Sequence, residues 1–433
     1  MGKTGWLDRA IAPLTWLERA RGWRRRALVF LYLTIALVGA VFGWRELSLW
    51  RLPDAPEPFD LARFGRVEVS EADNAIPLYR AATNWIKPGQ GDHLYKPATA
   101  GAWEVTDWAA ADPEVRRWAE DSRPALEPWL QATRRPEALV VQPEEMRIMT
   151  SLTVVQTIRH ASRVGLLEGS RREQAGDLAG AWELYNATLR SSRHVGRHGG
   201  LIQRLIGWNI LDRSRARVAT WTENPAVTSD MLRRAIADVA AAGALSAPAS
   251  DMIQVEYFAD RDVLAHPETW DRYDVEFLSD DQAWYNHIGL FRDARRFLRR
   301  EPERSRRVLR LIVAGHLAQV ERPQALRPKL RFEIFMIYDI DPRTPPALRL
   351  LTPEELNAWV MSSAAKWFGS FRQVQPLVDA EPGIFELLQL KMAERAYRLD
   401  RGRPPKTFAD LLGTYLKTLP EGIEPGDPLS AAP

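Results

Sequence analysis

The sequence predicts a mainly α-helical protein in which a single N-terminal transmembrane helix precedes an α-helical extracytoplasmic domain with little strand. Three observations predict it. An uncharged run of 18 residues, Ala27 to Trp44, follows a basic leader. A Pro-rich segment comes next, and beyond it apolar residues recur at spacings of three and four over most of the chain.

At about 1.5 Å per residue the run makes a helix of roughly 27 Å, close to the hydrocarbon thickness of a bilayer. Ten of its 18 residues are Leu, Ile, Val or Phe, which together favour insertion by roughly 3 to 6 kcal/mol. Trp23 and Trp44 bracket it at interface depth, where an indole buries its ring and keeps its N–H wet. A cleaved secretory signal is the competing reading, because Val38-Gly39-Ala40 is a passable small-residue site. The 26-residue leader and the length of the run favour a retained anchor.

Lys3, Arg9, Arg19, Arg21, Arg24, Arg25 and Arg26 precede the run, whereas only Arg45 and Arg51 lie just beyond it. This bias predicts a cytoplasmic N-terminus in the inner membrane and an exported remainder. It also explains the pI near 9.1, since residues 52–433 carry 50 basic and 53 acidic side chains. Nucleic acid is therefore not an expected partner. The absence of cysteine excludes disulfides, thiol chemistry and lipoprotein attachment.

The expected organisation is a leader at 1–26, an anchor at 27–44, a Pro-rich spacer at 45–70, a helical domain at 71–330 and a C-terminal helical module and tail at 331–433. Leu52 to Asp60 (LPDAPEPFD) should be a semi-rigid extended spacer lifting the domain off the membrane. Ala75 to Trp85 is amphipathic, Lys87 to Gly101 a loop, and Pro113 opens a helix capped by Asp112. The strongest helical block is Glu144 to Arg217, starting with a stripe of Met146, Met149, Leu152, Val155 and Ile158. Gly176-Asp177 and His198-Gly199-Gly200 divide it into three helices, with Arg190 and Arg193 expected on an exposed face. Further helices are expected at Asp230–Ala242, Gln282–Arg299 and Glu303–Val320, a strand or buried turn at Leu330–Tyr338, and a helix capped by Thr352 that ends near Phe368.

Within this block, Gly169, Gly176, Asp177, Ala181 and Tyr185 fall at the offsets of a tetratricopeptide unit, and the hairpin at 145–217 resembles one. Arg172 departs from the pattern and no second copy follows 34 residues on, so one unit is expected and not an array. The tail, from Tyr397-Arg398-Leu399-Asp400 through Gly402-Arg403-Pro404-Pro405 to Asp427-Pro428, resembles that of pseudopilins. With NAIPLYR, GDLAGAWELYNATLR and LTPEELNAW, the chain is similar to uncharacterised bacterial envelope proteins anchored by their N-terminus. That resemblance implies a location and no activity.

Three groups could carry chemistry. His194 and His198 are four apart on a helix, as a zinc pair would be, but no third ligand is near, and solvated or capping histidines are the expected reading. Asp339-Ile340-Asp341 ends an apolar run as metal-holding acidic pairs do, while Arg343 stands where a phosphatase of the haloacid dehalogenase type has Thr or Val; a surface turn is expected. Arg292 to Arg310 has nine arginines against three acids, which suits either an anionic lipid surface or a wet face paired with Asp293, Glu301 and Glu303. No nucleophile elbow, zinc-protease motif, dinucleotide fingerprint or phosphate loop occurs, so no cofactor, metal or catalytic residue is assigned. The expected role is a membrane-anchored scaffold that binds an envelope protein, and the alternative is an envelope hydrolase or transferase built from scattered carboxylates.

Overall fold

A computed structural model describes residues 21–50, 54–86, 105–147, 150, 152–266, 297–298, 300, 303–327, 330–332, 337–338, 366–420 and 423–428. The protein is mainly helical. Among the described residues the strands form one short antiparallel ladder, β1 (Leu330–Phe332) with β2 (Ile337–Tyr338).

Helix α1 (Trp23–Trp50) is the one described helix long and apolar enough to cross a membrane, and its apolar window is wholly unburied by the rest of the chain. It continues six residues past Trp44, so the start of the expected spacer is helical. The reason is local: Arg45 to Trp50 contains no Gly or Pro to stop a helix, and Leu49 buries its side chain. The Pro-containing stretch after it does not hold the domain away. Ala55, Phe59 and Leu61 pack on the core, and Arg310 binds Asp54 at 2.9 Å and Glu57 at 2.7 Å. A short helix, α2 (Leu61–Gly65), follows, capped by the Asp60 carboxylate.

The domain proper begins with α3 (Ile76–Ala82), α4 (Pro113–Asp121) and α5 (Leu126–Thr133). They surround the N-terminal part of α6 (Thr153–Gln174) through Tyr79, Trp118, Trp129, Val155 and Ile158. The expected start of that helix near Glu144 is corrected to Thr153. Glu144 lies in a 3₁₀ turn and Met146 is extended, with Arg147 N–H donating to Thr150 Oγ1 at 2.8 Å, so local turn bonds win over helix here. Met146 is nevertheless buried, against Val255 and Ala259.

Two long helices form the centre, α7 (Leu178–Gly196) and α8 (Leu201–Glu223). The chain turns between α6 and α7 at Gly176, whose φ of +83° excludes most side chains, and Asp177 caps α7 by accepting from Gly180 N–H at 2.9 Å. Helices α9 (Ser229–Gly243) and α10 (Ala249–Ala265) follow, then α11 (Glu303–Leu317). Nothing in the sequence reading anticipated α10, whose buried stripe of Met252, Val255, Ala259 and Val263 is interrupted by Glu256 and Asp260.

The last helix, α12 (Lys366–Arg401), runs on through Phe368, where a helix was expected to end, and contains Pro376 and Pro382. An interior proline costs roughly 3 kcal/mol. The stripe of Val374, Val378, Phe385, Leu388, Met392 and Ala396, all buried, offsets that cost at about 1.5 to 3 kcal/mol for each large side chain. Val374 and Val378 join the core of α10 and α11, whereas Phe385 onward joins that of α7, α8 and α9.

Small residues let the central helices approach. A Cβ at Gly169 would lie 2.4 Å from Tyr185 Cε1, and one at Gly207 would lie 2.5 Å from the Ser192 carbonyl oxygen. Around the first contact, Tyr185 donates to Glu173 at 2.9 Å, and Arg217 binds the same carboxylate at 2.7 Å. Arg190 and Arg193 are not exposed as expected: Arg190 donates to the Thr133 carbonyl at 2.5 Å, and Arg193 is buried. Both sit on a helix that is covered on nearly every side.

Gly169→Ala should therefore destabilise by about 1 to 3 kcal/mol through overpacking, as should Ala181→Leu at a fully buried position. Arg134→Ala, on a side chain 71% exposed, should change stability by less than about 0.5 kcal/mol. Thermal unfolding of the full chain in detergent measures all three. A Gly169→Ala midpoint equal to the parent's contradicts the close approach.

Candidate functional site

The end of α7 reads SRHVGRH, and its side chains part in different directions. His194 is 1% exposed, and Tyr79 Oη lies 2.8 Å from its Nδ1. Burial, then the nearby Arg190 charge, pushes its pKa down to about 3, so the ring is neutral. His198 is beyond the helix: Arg197 turns extended after Gly196, and His198 takes a φ of +56°. Its Nε2 lies 2.9 Å from Glu137, which also receives Arg197 Nε at 2.6 Å.

The helical spacing of four is broken by the helix end, so the two imidazoles do not converge. His194 is also neither solvated nor a cap. No group of three metal-capable side chains occurs among the described residues. Asp339, Asp341 and Arg343 lie outside the described residues, as do Arg292 to Arg296.

Between these histidines' neighbours sits a buried ionic node. Glu381 on α12 binds Arg193 of α7 through one carboxylate oxygen and Arg204 of α8 through the other, and all three side chains are at most 7% exposed. Arg193 also lies 5.2 Å from the Phe385 ring centroid, and Arg204 donates to the Ala247 carbonyl at 3.0 Å. Two guanidinium groups on one carboxylate leave an excess positive charge in the interior. Burial draws the Arg193 pKa below its ordinary value, against the pull of Glu381.

One turn beyond Glu381, α12 helps form a groove of about 330 Å³ with α9 and the tail. Phe385 and Leu416 make its floor, with Ala240, Gly243, Pro382, Leu419 and Pro420 on its walls. The tail is held there by a Thr407–Asp410 capping box, by Phe408 N–H donating to the Asp427 carbonyl at 3.3 Å, and by Tyr415 donating to Asp400 at 2.9 Å. Among the described residues, Glu386 is the one charged side chain lining the groove, beside polar Ser246, Gln389 and Thr418. No acid–base pair converges on it among the described residues.

A second feature is a pair of acids one helical turn apart on α10. Glu256 accepts from Leu201 N–H at the start of α8, where a Cβ on Gly200 would lie 2.3 Å from its oxygen. Asp260 is 1% exposed, and neither of its carboxylate oxygens has a hydrogen-bond partner. Burial pushes Glu256 up to about 7, against the Leu201 N–H, and raises Asp260 well above its ordinary value, with the Glu256 charge adding to the latter. The cleft by Met146, Gln203 and Glu256 holds about 30 Å³, room for a water or two and not for a substrate.

The groove could not be read from sequence, because its walls come from residues 240–246, 382–389 and 416–420. The acid pair does have a sequence signal, two acids four apart within an apolar stripe. Comparison with protein families, with curated proteins and with solved structures finds no match.

The pKa shifts set a pH dependence. A carboxyl whose pKa is raised by folding stabilises the protein while protonated, and this contribution is lost as pH rises through the folded value. Glu256→Gln keeps an acceptor for Leu201 N–H and removes the titration. Its stability should gain on the parent between pH 4.5 and about 7 and level off above that range. Urea unfolding across this range checks it, and a constant difference would place Glu256 outside the buried environment.

Proposed function

We propose that this chain is a single-pass membrane protein whose helical domain lies outside the cytoplasm and binds an extended segment of another envelope protein. The groove between α9, α12 and the tail carries this reading. It has an apolar floor, a polar rim and rigid proline walls, which suit one or two apolar side chains of a peptide. The repeat-like pairing of α6 with α7 fits a scaffold that holds such a surface in place.

The enzymatic alternative has less support. Among the described residues, the raised carboxyl of Glu256 lines a cleft that admits little more than water.

The anchor and its orientation rest on the apolar length of α1 and on the seven basic residues before the run. A reporter active only in the cytoplasm, fused after Pro433, should be silent. Strong activity would reverse the topology, and replacing Arg24, Arg25 and Arg26 with Asn should weaken the bias.

Binding is tested by placing a photocrosslinking amino acid at Thr418, on the groove, and at Arg134, on another face. Thr418 should yield one defined adduct in intact cells that Arg134 does not. Ala240→Trp should abolish it, because Ala240 is exposed on the groove wall and a ring there fills the space without disturbing the core. An adduct that survives Ala240→Trp removes the groove as the binding surface.

A further inference from the structure

The domain meets α1 near the outer end of its apolar run. The Phe42 and Phe297 rings are 5.8 Å apart, edge to face. Arg45 lies 4.5 Å above the Phe297 ring and donates to its carbonyl at 3.2 Å, and Arg300 binds Glu46. Phe297 is thus tied to a single level of the anchor. It is also 46% exposed, in line with Phe42 at 47% and Trp44 at 67%.

Phe42 lies two residues inside Trp44, about 3 Å deeper along the helix. A bilayer around Phe42 must therefore reach Phe297 as well. The docked proline segment is consistent with this, since Asp54, Ala55 and Glu57 fold back onto the domain and leave it no standoff from the end of α1.

We propose that the domain rests on the bilayer through Phe297, whose ring enters the interfacial layer beside Phe42 and makes a second membrane contact. This rests on the reading of α1 as a retained span. The contact is with the acyl and glycerol level of the lipid and does not depend on headgroup charge. The local arginines already face carboxylates: Arg45 and Arg300 face Glu46, Arg306 and Arg307 face Glu303, and Arg310 faces Asp54 and Glu57. Five described arginines thus face four carboxylates, which leaves the described part of this surface close to neutral and the apolar ring as its distinguishing feature.

The chain has no cysteine, so one introduced cysteine is a unique attachment point for a spin label. The full chain, in nanodiscs of phosphatidylcholine, is labelled at Phe297→Cys, at Leu37→Cys within the span and at Arg134→Cys on the far surface. Relaxation by oxygen, which concentrates in lipid, is compared with relaxation by a water-soluble nickel chelate. Phe297 should resemble Leu37, with an oxygen-to-nickel ratio several-fold above that of Arg134. A disulfide between Glu46→Cys and Arg300→Cys should form in the same discs, reporting that the domain sits against α1 independently of the labelled side chain.

A water-like ratio at Phe297 with a lipid-like ratio at Leu37 overturns the contact alone. A water-like ratio at Leu37 overturns the span and the contact with it. A label at Phe297 shielded from both reagents would mean that a second copy or another protein covers the ring, which also overturns the proposal. Immersion that appears only with phosphatidylglycerol overturns the apolar mechanism, and failure of the disulfide removes its geometry.

Discussion

The register of α12 against the two central helices depends on Glu381. Its carboxylate is shared by Arg193 and Arg204 from two different helices, deep in the protein. Removing three charged groups from water costs several kcal/mol for each, and the attraction between them recovers this only in one geometry. Sliding α12 by a turn would move Glu381 about 5.4 Å from both partners and strand two guanidinium groups in an apolar interior. Apolar stripes tolerate such slips far better than this node does. The groove begins at the next residue, Pro382, so its shape inherits the position of the node.

The parts of the fold legible in the sequence were those coded by local chemistry. Gly176-Asp177 announced a turn, and the apolar run announced α1, because both depend on neighbours in the chain. The start of α6 and the existence of α10 were harder. At Glu144 to Thr150, turn bonds compete with helix over an apolar pattern that fits either, and in α10 two acids interrupt the stripe. Little of the candidate site was legible. Glu381 stands 188 positions from Arg193, and no spacing rule links residues that meet only after α12 has packed. The histidine pair shows the converse, since its spacing of four lost meaning once the helix ended at Gly196.

Burial of charge recurs with opposite outcomes in two places. At the node, two cations share one anion, and the excess positive charge is spread over guanidinium groups that stack on Phe385 and reach a backbone carbonyl. On α10 no cation among the described residues faces Asp260, and burial there favours its protonated form. Each arrangement is costly relative to an apolar core of the same shape. The node has a compensating use, because it selects one register. No comparable use follows from the position of the acid pair, which touches neither the groove nor the end of α1.

With α1 as the proposed span, the contacts at its end limit how the domain can turn. A helix joined to its domain by a free extended linker would localise that domain and leave its orientation open. Here α1 carries its last helical turn into the domain by burying Leu49, and the segment after it is fastened by Arg310 to the same helix, α11, that follows Arg300. Tyr257 of α10 also donates to Glu57, so the fastening reaches the core. A domain tied at Phe42, Arg45, Asp54 and Glu57 has few rotational freedoms left about the axis of α1. On the proposed reading, the face carrying the groove is presented at a set angle, and a partner in the same membrane would meet it with much of the orientational entropy of association already removed.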